Sequence, residues 1–311
     1  MNVSNSNVIV TGADGFTGHH LCRHLVNRGA KVRALVKPGL LKNLKRGDDM
    51  EIVVGDVTDY QSILNAMKGI DAAFHLAAIT SIPETRAVIG NTFSVNSSGT
   101  LNVLMAARER GVAKVLYTST CHVYGKQESM PIKEISVPMP IDIYSASKLA
   151  GEHLCTAFVE MFGLDITISR AFNHFGPGQR EEFLIPSVIR KLLRNQPIRL
   201  GNPEPTRDFT YVEDVVAGYV TLAEKGRRGE TYHLCSGEER TVREIVEKIL
   251  EVAESKAKVS WDPEARKIDL PRSVGSYEKA RKEFGWEPKV SFEEGLQRTV
   301  DWYTSSSRGV G

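Results

Sequence analysis

Residues 8–18 read VIVTGADGFTG: a short β-branched run, a turn carrying Gly12, Gly15 and Gly18, and then the apolar spacing of HHLCRHLVN. Few arrangements satisfy all three parts at once. A strand ending in so glycine-rich a turn allows close backbone approach, and the helix that follows presents unpaired amides and the positive end of its dipole. A pyrophosphate suits that end. The segment therefore predicts the opening strand-turn-helix unit of a dinucleotide-binding sheet, with Gly12, Gly15, Phe16 and Gly18 as cofactor contacts.

The rhythm continues downstream. KVRALV reads as a second strand after Gly29, and EIVVGDVTD as a third, followed by a helix from Tyr60 to Met67 with Thr58 and Gln61 at capping-box spacing. DAAFHLAA, a helix over residues 92–110, VAKVLYTST, a long helix through YSASKLAGEHLCTAFVEMFG, and LDITISRAFN complete the alternation. Strands separated by helices predict an α/β fold: a Rossmann-type, mostly parallel sheet with helices on both faces over residues 1–175. Prolines at 177, 186, 197, 203 and 205 then break the pattern. Residues 176–311 read as a smaller C-terminal substrate-binding region, with strand and helix returns to the main sheet. Two of its helices are announced by Thr241 with Glu244 and by Ser291 with Glu294.

Forty Lys and Arg residues against 38 Asp and Glu give a formal charge of +2, no basis for binding a nucleic acid polymer or an anionic membrane. The four cysteines, Cys22, Cys121, Cys155 and Cys235, form no CxxC pair or metal-ligating cluster, so no metal is expected and a cytoplasmic chain is the simpler reading. The apolar run at residues 8–10 is too short for a membrane span or a secretion signal.

The cofactor is NAD or NADP. The second strand ends ALVKPG, with no acidic residue at its tip to hold an adenosine ribose diol. Lys37, with help from Arg33, can meet a 2′-phosphate instead, a slight edge for NADP over a merely solvated lysine. Asp56, after the third strand, is placed to accept from the adenine amino group or to stabilise its own turn.

Tyr144 and Lys148 in YSASK stand at i and i+4 and share a helix face. A phenol titrates near about 10, and an ammonium beside it favours the phenolate, which can exchange a proton with a sugar hydroxyl while hydride moves. Thr120, in the turn after VAKVLYTST, is placed to orient the reacting oxygen; Ser119 and Thr118 are weaker candidates.

Together TGADGFTG, GDVTD, HLAA, VNSSGTLNVL, TSTCHVYG, YSASK, FNHFGPGQ, RDFTYVEDV and GWEPK resemble the extended short-chain dehydrogenase/reductase family acting on nucleotide sugars. The resemblance runs through nearly the whole chain. It implies Tyr144 as acid or base, Lys148 as its support and a cofactor ligand, and Thr120 in the serine-or-threonine role. It further implies cofactor contacts at Val57, Ala77, Ala78 and Asn96, the last supporting the lysine region. Asn173, Arg207 and Arg272 are the implied contacts to a nucleotide diphosphate sugar, and a homodimer is the implied assembly.

The family's 4,6-dehydratases and decarboxylases carry an acidic residue before the VYG-like motif, where this chain has His122 preceded by Cys121. Elimination with His122 in place of the acid is therefore one alternative. A 4-epimerase needs only Tyr144, the cofactor and a 4-keto sugar that turns over between hydride transfers, and it is the preferred expectation. The tracts FNHFGPGQ, GNPEPTRDFTYVEDVV and YHLCSGEERTVREI make an NADPH-dependent 4-keto-6-deoxysugar reductase the main competitor. A bifunctional epimerase-reductase using Cys121 and His122, and a non-catalytic dinucleotide-binding regulator, rank below these. Ser81, Arg86 and His174 are further candidates to approach the sugar.

Overall fold

The computed structural model describes residues 1–45, 48–262 and 270–308. Six strands follow the predicted rhythm: β1 (Asn7–Thr11), β2 (Lys31–Val36), β3 (Glu51–Val54), β4 (Ala72–His75), β5 (Lys114–Thr120) and β6 (Ile166–Ala171). With strand Thr231–Leu234 they form a seven-stranded sheet in the order Thr231–Leu234, β6, β5, β4, β1, β2, β3. Every pairing in it is parallel. The order reverses between β1 and β4, which opens a crevice at their carboxyl ends, the place where doubly wound sheets take ligands.

Both faces are covered because the strands are buried on both faces and must be. Leu21, Cys22 and Leu25 of helix Phe16–Asn27 pack with Val215, Val216 and Tyr219 of helix Val212–Lys225 on one side. Ile63, Val103, Leu104 and Cys155, from three helices, fill the other side against Ile9, Val115 and Ile166. Residues 1–175 do not complete the sheet alone, since helix Val212–Lys225 and strand Thr231–Leu234 return to it.

A separate apolar core joins helices Leu184–Leu193, Val242–Val252 and Phe292–Arg308 around Ile185, Ile249 and Leu296. Three two-stranded ribbons hold this substrate arm: Asn173–Phe175 with Phe209–Tyr211, Thr206–Arg207 with Arg240–Thr241, and Ile198–Leu200 with Val259–Trp261.

Local details depart from the sequence expectation in two places. Helix Tyr60–Ala66 is capped by Asp59, whose carboxylate accepts from Gln61 N and Ser62 N, while Thr58 bonds Asp56 instead. The carboxylate one residue later reaches two free amides, so it displaces the threonine box. The single helix expected over residues 92–110 is three pieces: Ile89–Phe93, a π-helical turn Ser94–Ser98, and Gly99–Arg110. The wide turn carries Asn96, which explains its position: π-turns inside helices place functional side chains. The Thr241–Glu244 capping box is present as expected.

Candidate active site

The glycine turn lies at the carboxyl end of β1, against the chain leaving β4. Gly12 has φ +68°, and a Cβ there would stand 2.8 Å from the Ala77 amide nitrogen. At Gly18 a Cβ would meet the Gly12 carbonyl at 2.1 Å, and at Gly15 the same oxygen at 3.1 Å. Side chains are thus excluded at Gly12 and Gly18, and at Gly15 a Cβ would be tight. Helix Phe16–Asn27 starts at Gly15 without a side-chain cap, leaving its first amides for an anion. The Thr11 hydroxyl locks the arrangement, accepting from Leu76 N and Ala77 N at 3.2 and 3.1 Å.

Asp14, which sequence reasoning passed over, organises the rim of this cradle. Its carboxylate accepts from Lys42 N, Asn43 N and Leu44 N at 2.7 to 2.8 Å, fixing the loop beyond β2. An acid inside an otherwise small and apolar turn was the available signal. Lys37 stands at the tip of β2 with its ammonium 3.4 Å from Asp56. Asp56 balances Lys37 through one oxygen and closes its own turn on Thr58 through the other. Arg33 does not assist Lys37. It donates to Glu51 and to the Ala66 and Lys68 carbonyls, at the carboxyl end of helix Tyr60–Ala66, from the amino-terminal half of β2.

Val57 is buried against Gly99 and its carbonyl accepts from Asn102. Ala77 and Ala78 are half-buried beside the glycine turn. Phe16 stacks on His174 at 5.8 Å between ring centres, and His174 Nε2 bonds Thr17 Oγ1 at 2.8 Å. His174 is thus turned to the cofactor helix and not to a sugar. Ser81 is buried before helix Ile82–Ala87, on which Arg86 is exposed.

Helix Ile143–Phe162 places Tyr144 and Lys148. Asp142 and Ser145 form a capping box at its start, which fixes the first turn where Tyr144 sits. Burial pushes the Tyr144 phenol upward, and a hydrogen bond with the Thr120 side chain opposes that shift. Thr120, 6% exposed at the end of β5, also accepts from His122 N at 3.2 Å. The Lys148 ammonium, 2% exposed, lies 4.3 Å above the Tyr117 ring. Burial lowers it to about 8, against opposing pulls from Cys155 and Glu152.

Asn96 braces this helix. Its amide donates to the Ile79 carbonyl and to Ser147 Oγ, and its oxygen accepts from Ile79 N. Ser147 Oγ in turn donates to the Tyr144 carbonyl at 2.7 Å. Both amide hydrogens are consumed by protein partners, so Asn96 positions the helix rather than binding cofactor through its amide.

The adjacent pair Cys121-His122 splits. Cys121 points into a core with Val123, Phe172 and Cys235, within 3.9 Å of Ser273 Oγ, and burial pushes its thiol up to about 12. His122 is half-buried, its ring edge-on to Tyr144 at 6.1 Å. A protonated, enclosed thiol cannot pair with His122 as an acid-base couple. Ser119 turns from the reaction centre to Glu152, and Thr118 donates to the His75 carbonyl at 3.0 Å.

In the substrate arm, Asn173 Nδ2 is buried with no hydrogen-bond partner among the described residues. Arg207 donates to the Thr206 and Leu270 carbonyls at 2.7 and 2.8 Å. Arg272 is held by both oxygens of Glu239 through Nε and Nη2, each at 2.7 Å. Asp208, also unremarked in the sequence, accepts from Ser236 N, Ser236 Oγ, Gly237 N and Gly275 N. It thereby ties the Arg207, Glu239 and Arg272 segments together.

The family model described as the NAD dependent epimerase/dehydratase family matches residues 8–235. The GDP-6-deoxy-D-mannose reductase of Pseudomonas aeruginosa is 32% identical over 306 residues, covering 95% of this chain and 96% of the relative. A dTDP-glucose 4,6-dehydratase of Streptomyces antibioticus is 31% identical over 312 residues, covering 96% and 92%. Among solved structures, the UDP-glucose 4-epimerase of Thermotoga maritima with UDP-glucose superposes with a TM-score of 0.92 at 29% identity, covering 97% of this chain and 99% of that one.

Proposed function

This chain belongs to the NAD dependent epimerase/dehydratase family, whose nucleotide-sugar enzymes are extended short-chain dehydrogenases/reductases, and we propose that it inverts C4 of a nucleotide-diphosphate sugar through a transient 4-ketone. The observation that carries this reading is the Tyr144–Thr120 pair, at the carboxyl end of β5, two strands along the parallel sheet from the β1 glycine turn, with Cys121 turned away into the core.

The residues present fit a dinucleotide. Gly12, Gly15 and Gly18 leave room that any Cβ would fill, and Lys148 lies on the face of helix Ile143–Phe162 that carries Tyr144. When bound, the nicotinamide supplies the hydride acceptor and donor. Thr120 holds the C4 oxygen, and Tyr144 takes its proton and later gives it back. Thr120, rather than the Lys148 ammonium expected from the sequence, is the group that opposes the upward push of burial on the Tyr144 phenol, and Lys148 would hold the dinucleotide. Asn173 and Arg207 anchor the diphosphate while the sugar ring turns. No separate carbon base is required. Elimination would need one, and of the Cys121-His122 pair only His122 remains to serve.

A specific observation favours a second reading, NADPH-dependent reduction of a 4-keto-6-deoxysugar. The tip of β2 carries Lys37 and no acid, as a 2′-phosphate would prefer, although Asp56 competes for that lysine. We also propose a homodimer, on the apolar residues that stand out from neighbouring helices: Phe93, Met105, Met161 and Phe162 are 38% to 72% exposed. The four free thiols fit a reducing compartment such as the cytoplasm.

The test is mass spectrometry of products from a panel of UDP-, GDP- and dTDP-sugars, with and without NADPH. Epimerisation gives an isobaric product without added NADPH. Two hydrogens gained only with NADPH would establish the reductase instead, and loss of water the dehydratase. Tyr144→Phe should lower turnover by about 10²- to 10⁴-fold with NADH binding retained. Undiminished turnover in that variant removes Tyr144 from the chemistry.

A further inference from the structure

One buried network is left without a role by the reaction described above. Glu152 follows Tyr144 and Lys148 at the next i+4 step, so the three share one face of helix Ile143–Phe162. Its carboxylate is gripped by Arg170 of β6, with Nε on one oxygen at 3.0 Å and Nη2 on the other at 2.6 Å. Ser119, the residue before Thr120, donates to the same carboxylate.

The chain of bonds continues in one direction. Arg170 Nη1 donates to the Tyr124 hydroxyl at 2.7 Å, and that hydroxyl lies 2.5 Å from His233 Nε2. His233 Nδ1 sits 3.2 Å from the Ser276 carbonyl, an acceptor only, so Nδ1 carries the proton and Nε2 accepts from Tyr124. Every donor in the series has an acceptor. Glu152 is 4% exposed and Arg170 7%. A buried ion pair stabilises a fold no better than an apolar pair of the same volume, so its placement four residues from Lys148 calls for another reason.

We infer that Glu152 is a positioning residue for Lys148: clamped by Arg170 and Ser119, its carboxylate keeps the neighbouring ammonium charged and on the cofactor side of the helix. This rests on the reading of Lys148 as a dinucleotide ligand. The other groups facing Lys148 cannot substitute. Tyr117 of β5 offers its ring face, while His75 of β4 is kept neutral by burial, its imidazole lowered to about 3. On its own helix Cys155 is a buried thiol pushed upward, and Tyr144 is the reacting phenol. Glu152, one helical turn on, is then the carboxylate whose field reaches it, offset in part by the Arg170 guanidinium that clamps it.

The experiment is NADH binding, followed by fluorescence across neutral to alkaline pH, for the wild type, Glu152→Gln, Glu152→Asp and Lys148→Met. Affinity in the wild type should fall as pH rises through about 8, where the ammonium is lost. Glu152→Gln should move that midpoint down by about one pH unit. Glu152→Asp, the safeguard if the glutamine variant does not fold, should move it less in the same direction. An unmoved midpoint in a folded Glu152 variant overturns the inference. Lys148→Met should abolish the transition; if it leaves the midpoint in place, the assignment of Lys148 as a cofactor ligand fails instead.

Discussion

In the seven-stranded sheet each strand pairs with neighbours delivered by the alternation of strand and helix, and buried β-branched residues such as Val8, Ile9, Val115 and Ile166 hold the layers together. The substrate arm has its own apolar core but, among the described residues, no strand longer than three residues outside that sheet, and its loops are joined by single carboxylates. Asp208 gathers three segments, and Asp214 accepts from Lys289 N and Val290 N to fix the turn before the last helix. The first region is built by repeated, weakly directional burial. The second depends on a few directional bonds, each of which serves as a joint. A region of the first kind tolerates change except where backbone meets backbone, whereas the second should fail one joint at a time.

Three changes would break or sharpen this contrast. The largest effect is expected at the one place where the sheet region has no tolerance: Gly18→Ala sets a Cβ against the Gly12 carbonyl, and NADH binding by fluorescence should fall below detection. Retained affinity would mean that the turn is not the cradle. Next comes Asp208→Ala, which strands three backbone amides in a site with no solvent exposure. Urea unfolding should show a loss of about 3 kcal/mol, and a far smaller value would dissolve the picture of the arm as jointed.

The smallest effect concerns acid. Burial holds both His75, on β4 inside the sheet, and His233, on its edge strand Thr231–Leu234, neutral down to about 3. The unfolded chain binds a proton at each near pH 6.5, so their contribution is complete above that value and declines as pH falls toward 3. His75→Gln and His233→Gln should each flatten the acid limb of stability measured by urea titration. Equal flattening would show that the returning edge strand shares one cooperative unit with the sheet's interior; flattening confined to His233→Gln would show that this edge, which the C-terminal region supplies, loosens by itself.

Much of the site could be read in the chain before folding. Gly12, Gly15 and Gly18 announce the cradle because the constraint is local: backbone atoms a few residues apart cannot come so close if a Cβ intervenes. Tyr144 and Lys148 are legible through helical spacing, and Thr120 through its place at a strand end. The Arg272–Glu239 and Arg33–Glu51 pairs could not be read from the sequence because charge pairing is decided by distance in space. Glu239 lies 33 residues from Arg272 in the chain, and Glu51 lies 18 from Arg33. Asp14, Asp208 and Glu152 gave little signal for the same reason, since a carboxylate's partners are amides and guanidinium groups brought from elsewhere.

By itself the sequence determined the order of elements, the parallel sheet and the turn that must be glycine, since periodicity and φ preference act over a handful of residues. Only the tertiary structure decided that Cys121 turns inward while His122 faces Tyr144, that Lys37 meets Asp56, and that Glu152 is clamped beside Lys148. Those outcomes depend on desolvation and on electrostatic contacts between distant segments, and neither quantity exists until the chain has closed around them.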